Sequence, residues 1–68
     1  MFTIVNDKYG HGEYSNLDDI IAQAPDRDHC EFYKWPVWCD CGKCIDGLVD
    51  GYGRVVAVET EHVNHSPW

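Results

Sequence analysis

Cys30, Cys39, Cys41 and Cys44 fall in one stretch of a 68-residue chain, and they are the side chains best suited to chemistry. Thiolates are soft ligands, and four of them commonly hold Zn²⁺ in a tetrahedral structural site. Cys39-x-Cys41-x-x-Cys44 offers one Cys-x-x-Cys pair, where zinc knuckles usually present two on separate turns. The fourth ligand is therefore open between Cys30, His29, and one of His62 and His65. The spacing of those last two is one residue short of the usual His-x₃₋₅-His. The competing reading places Cys30 and Cys39 in the core beside tryptophans and makes Cys41 and Cys44 plain turn thiols.

Cys41-Gly42-Lys43-Cys44 also matches the dithiol of an oxidoreductase, whose first cysteine is made acidic by a helix N-terminus. Here a strand-and-turn sequence follows, Ile45 to Gly51, so that context is missing. No serine or cysteine nucleophile stands in a known local signature with His11, His29, His62 or His65. The chain is therefore read as non-catalytic.

These residues need elements to position them. Phe2 to Val5 are β-branched or aromatic and predict a short strand, followed by a turn-rich loop to Gly12. Ser15 or Asn16 caps a helix with Asp18 and Asp19 in its first turn and apolar Leu17, Ile20, Ile21 and Ala24 on one face; Pro25 stops it. Two turns of helix are not stable alone, so it must lie on a sheet. Glu31 to Trp38 predicts a strand in which Pro36 argues for an edge position or a bulge. Its alternation puts Tyr33, Trp35 and Val37 on one side and Phe32, Lys34 and Trp38 on the other. Cys39 to Cys44 reads as a turn, Ile45 to Val49 as a strand, Asp50-Gly51-Tyr52-Gly53 as a hairpin and Arg54 to Glu61 as the last strand. The tail from His62 frays or folds back through Trp68. The expectation is one α+β domain over residues 1–68, in the order β-α-β-β-β, with about four antiparallel strands and one helix packed across them.

Composition limits what such a domain can do. Five basic and 12 acidic side chains give a net charge of −7, with 44% hydrophobic and 13% aromatic residues. The chain is too apolar for a disordered tail. A chain this short buries only roughly 60% of its unfolded surface, which leaves little room for an elaborate active site. The charge disfavours direct binding to nucleic acid or anionic membrane and favours a protein with a basic, nucleic-acid-binding surface. Most of it lies in Glu13, Asp18, Asp19, Asp26, Asp28 and Glu31, opposed there by Arg27 alone. These six are the candidate partner-binding residues; the alternative is a solvated face that gives solubility. The N-terminal residues lack a basic leader, and no apolar stretch nears the roughly 20 residues that span a bilayer. A cytoplasmic protein is expected, in which reduced thiols favour metal binding or free cysteines over disulfides.

The length, the acidic Glu13 to Glu31 region, the helix from Leu17 to Ala24 and the hairpin at Asp50 to Gly53 together resemble small phage-encoded inhibitors of bacterial defence, including anti-CRISPR proteins. The resemblance is one of size, charge and layout and carries no residue assignments. It implies a non-catalytic protein in the host cytoplasm that binds a nuclease or surveillance complex and blocks its access to DNA. The sequence thus supports two functions: an acidic inhibitor acting by occlusion or DNA mimicry, and a small zinc-binding structural or adaptor domain built on Cys30, Cys39, Cys41 and Cys44.

Overall fold

The computed structural model describes residues 1–25, 28–65 and 68. Its strands are β1 (Phe2–Ile4), β2 (Glu13–Tyr14), β3 (Phe32–Cys39), β4 (Lys43–Asp50) and β5 (Val55–Glu59), with one α-helix, α1 (Leu17–Gln23), and 3-10 helices at Asp7–Tyr9 and Thr60–His65. The strands form one sheet in the order β2-β1-β5-β4-β3, and every neighbouring pair is antiparallel. The α+β architecture expected from the sequence is therefore present. The strand beyond the expected four is β2, whose two residues pair with Phe2 and Thr3. Two residues carry no readable alternation, so only the pairing reveals them.

Asn16 caps α1, accepting the Asp19 N–H on its Oδ1 at 3.0 Å, and the helix stops before Ala24, whose ψ of 132° is extended, as the following proline requires. Leu17, Ile20 and Ala24 are buried with Ile4, Tyr9, Leu48, Val56 and Ala57 in the larger core. Register explains the face: Ile4 and Leu48 both lie opposite Ala57. Ile20 is fully buried, which contributes about 1.5–3 kcal/mol. Gln23 Nε2 donates to Tyr9 O at 2.9 Å, tying the end of the helix to the first 3-10 turn.

The opposite face of the sheet carries a second core of Cys39, Ile45 and Val58, covered by Val63 and Trp68. The chain end does fold back through Trp68, whose Nε1 donates to His62 O at 3.4 Å. Pro36 sits on β3, one of the two edge strands, opposite Asp46, a position its missing N–H allows. Gly47, opposite Trp35, has no room for a side chain, because a Cβ there would overlap Val37 Cγ2.

Asp50 closes the β4–β5 turn and, among the described residues, is the buried charged one. It accepts from Tyr9 Oη at 2.6 Å, from the Arg54 N–H at 2.9 Å and from the Tyr52 N–H at 3.0 Å, with Arg54 Nε at 3.3 Å. Burial alone would raise its pKa; the hydrogen bonds from Tyr9, Arg54 and Tyr52, together with the Arg54 charge, outweigh this and hold the carboxyl below its ordinary value. Burial, and then the bond to Asp50, push the Tyr9 hydroxyl well above its ordinary pKa, so it stays a donor. Asp50→Asn is expected to cost about 1.5–3 kcal/mol at neutral pH, measured by urea unfolding. Because the folded-state pKa is the lower one, this stabilisation is complete above the unfolded carboxylate value of about 3.9 and is lost as pH falls through the folded value. The stabilities of the two proteins should therefore converge in acid and stay apart at neutral pH.

Candidate metal centre

β3 delivers Cys39 to its last position, buried against Ile45 and Val58 on the face away from α1. The chain then reverses through Asp40, Cys41 and Gly42, with the Gly42 N–H donating to Cys39 O at 2.9 Å. Gly42 has φ +94°, a left-handed conformation that three-residue hairpin loops need and glycine supplies without strain. This turn brings Cys41 back beside Cys39.

The other half of the site comes from the far end of the sequence. Thr60 begins the C-terminal 3-10 helix, its N–H donating to Met1 O at 3.0 Å and its Oγ1 bonded to Thr3 Oγ1 at 2.8 Å. Val63 packs into the second core. A 3-10 helix has three residues per turn, so side chains at i and i+3 eclipse. His62 and His65 therefore stand on one side of it, their rings edge to face with centroids 5.1 Å apart.

The ligand atoms of Cys39, Cys41, His62 and His65 all lie within 4.8 Å of one another. His62 Nδ1 is 3.4 Å from both sulfurs, His65 Nδ1 is 3.6 Å from Cys39 Sγ, and the two Nδ1 atoms are 3.2 Å apart. A zinc ion with ordinary Zn–S and Zn–N bonds in tetrahedral geometry has S···N edges of about 3.5 Å and an N···N edge of about 3.3 Å. The four distances agree with those edges. The buried residue of the group is Cys39, while Cys41 and His65 are exposed. Burial pushes the Cys39 thiol up, with the Cys41 and Asp40 side chains adding to it against the lowering effect of a backbone hydrogen bond from Cys41. A nearby cation is what would favour the thiolate of Cys39 against that burial.

The structure divides the four cysteines of the sequence-based zinc set. Cys39 and Cys41 meet; Cys30 and Cys44 do not join them, and His62 and His65 take those places. Cys30 precedes β3, whose eight residues separate its two ends by roughly 23 Å. Its Sγ lies instead 3.8 Å from Tyr9 Oη. Cys44 is exposed and lies opposite Trp38, one residue from Ile45, so alternation turns it to the other face of the sheet. His29 and His11 are exposed, and His11 Nδ1 is 3.7 Å from Asp7. The sequence offers His62 and His65 only as alternatives for one ligand. The signal that would have found both is the 3-10 period, which suits His-x-x-His as the α-helical period suits longer spacing.

Of the candidate partner-binding residues, Glu13, Asp18, Asp19, Asp28 and Glu31 are exposed; Asp26 lies outside the described residues. Asp18 pairs with Lys34 at 2.9 Å, and Glu31 accepts a hydrogen bond from Tyr33 Oη. Among the described residues no helix is long and apolar enough to cross a membrane. Fold and donor set together describe a small α+β domain in which four side chains lie close enough together that they could hold a metal ion. Comparison with protein-family models, with curated proteins and with solved structures gives no match.

The geometry separates the cysteines by experiment. Cys30→Ser and Cys44→Ser should leave zinc affinity unchanged, whereas Cys41→Ser and His65→Ala should each weaken it by more than about 100-fold, beyond the loss typical of residues that only support a ligand. Competition titration against a chromophoric chelator measures both.

Proposed function

We propose that this protein is a small zinc-binding structural domain in which Cys39, Cys41, His62 and His65 hold one Zn²⁺. The observation that carries this reading is the set of ligand-atom distances, which matches the edges of a zinc tetrahedron. Four protein ligands close the coordination sphere, and a closed sphere is structural where a catalytic site keeps one position open. The ion would staple the C-terminal 3-10 helix to the end of the β3–β4 hairpin. A chain of this size gains from such a staple, because one thin core supplies little stability. Native mass spectrometry of protein purified without chelator should find one zinc per chain. With free zinc at about 100 times its Kd the domain should gain about 2.7 kcal/mol, raising Tm by roughly 10–20 °C over the chelator-treated protein. An apo mass with four free thiols, or a Tm indifferent to zinc, defeats the reading.

A second, compatible reading concerns the surface. The exposure of Glu13, Asp18, Asp19, Asp28 and Glu31 supports binding to a protein with a basic, nucleic-acid-binding surface, which the domain would inhibit by occlusion or DNA mimicry, as the phage-encoded inhibitors do. Binding to a nona-lysine peptide, followed by calorimetry, should weaken about tenfold or more when salt is raised from about 50 to about 200 mM. Joint replacement of Asp18, Asp19 and Asp28 by Asn should abolish it. Salt-independent binding, or none, counts against this reading.

A further inference from the structure

β3 forms one edge of the sheet, and it is unusually aromatic for an edge. Tyr33 is 46% exposed and Trp35 and Trp38 are each 63% exposed. Large aromatics left in water on an open edge mark an interaction surface, since Trp and Tyr anchor most binding hot spots. Among the described residues of the C-terminal segment, Val63 and Trp68 pack against Cys39, Ile45 and Val58, with Val37 beside them, at the other end of the strand from Tyr33.

Alternation sorts the edge into two sides. Tyr33 and Trp35 lie two apart on one side, and Glu31, just before the strand, reaches that side, where its carboxylate accepts from the Tyr33 hydroxyl. Lys34 and Trp38 lie on the other. Side chains two apart on a strand, here Tyr33 and Trp35, are separated by roughly 7 Å, twice the thickness of a stacked ring, which admits one flat group between them. That spacing, with a carboxylate at one end, suits a planar cation.

Charge selects among occupants. A second copy of this chain would bring another −7 to the edge, and Pro36 removes a donor from the ladder that two such edges would need to form. Single-stranded nucleic acid would stack on the aromatics but is repelled by the same charge. A basic protein segment is attracted. Lys34, the nearest cation on the strand, is already paired with Asp18 at 2.9 Å, so it does not oppose such a partner. Arginine fits better than lysine, because its guanidinium is flat, stacks on aromatic faces and forms paired hydrogen bonds with a carboxylate.

We propose that the Glu31, Tyr33 and Trp35 side of the β3 edge is a receptor for an arginine side chain of a basic protein segment. This rests on the acidic-surface reading above and names the site and side chain that would carry it. The test is isothermal titration calorimetry of the zinc-loaded full chain with nona-arginine, nona-lysine and a nine-nucleotide oligothymidine. The expected result is nona-arginine binding about tenfold tighter than nona-lysine, with no comparable binding of the oligonucleotide. Trp35→Ala and Glu31→Gln should each weaken nona-arginine about tenfold while changing nona-lysine by less than about threefold. Glu13→Gln, which removes the same charge at the opposite edge of the sheet, should change both peptides equally and slightly. Circular dichroism checks the fold of each variant, and Glu31→Gln stands as the test if Trp35→Ala does not fold. If Glu31→Gln and Glu13→Gln act alike on both peptides, this site is overturned and the general acidic-surface reading survives. If neither peptide binds, both fall. Tighter binding of the oligonucleotide than of nona-arginine also overturns the site.

Discussion

A five-stranded sheet has two faces to keep from water, and this chain has very little left over to cover them. That constraint governs the rest of the molecule. One face is covered by seven residues of α1, the other by a six-residue 3-10 helix and Trp68. Neither cover is long enough to be stable by its own hydrogen bonds, so each must be held to the sheet by packing and by specific polar contacts. The result is two small cores back to back, with Ile4, Leu48 and Ala57 facing α1 and Cys39, Ile45 and Val58 facing the chain end.

The polar contacts collect at the two ends of β4. At the Asp50 end, a buried carboxylate gathers the Tyr9 hydroxyl and the backbone of the β4–β5 turn. This node joins the first 3-10 turn, the turn itself and the larger core, and its donors come from the protein alone. At the Lys43 end, two sulfurs and two imidazoles converge from the β3–β4 turn and the chain terminus. Bringing four such donors together has a cost in ordering that weak thiol and imidazole hydrogen bonds offset poorly, whereas the proposed cation would offset it far better. The zinc reading thus follows the same logic as the Asp50 node: a thin domain fastens its loose ends with a few strong polar contacts.

Much of this architecture was legible in the chain. The helix from Leu17 could be read from its cap, acidic first turn and apolar period, because those signals are local. The β4–β5 hairpin was legible at Asp50-Gly51-Tyr52-Gly53, and Pro36 limited its strand to an edge or a bulge, since a missing N–H is a property of the residue itself; the regular register and strand order decided for the edge. What was not legible depends on contacts between residues far apart in the sequence. The continuous strand expected from Arg54 to Glu61 ends at Glu59 because Thr60 turns to bond Met1 and Thr3, residues at the opposite end of the chain. That turn makes the 3-10 helix, and the 3-10 helix makes a pair of His62 and His65.

The sequence by itself therefore determined the class of fold, the acidic charge and the presence of soft metal ligands, since each follows from residue type and short spacing. Only the tertiary structure decided which ligands meet. An extended strand carries Cys30 far from Cys39, and the two-residue period of β4 turns Cys44 to the other face. Pairing of the first and last strands sets where the chain end begins its turn. Ligand sets are fixed by distance in space, and in a sheet protein that distance depends on register and strand order, which residue spacing alone does not encode.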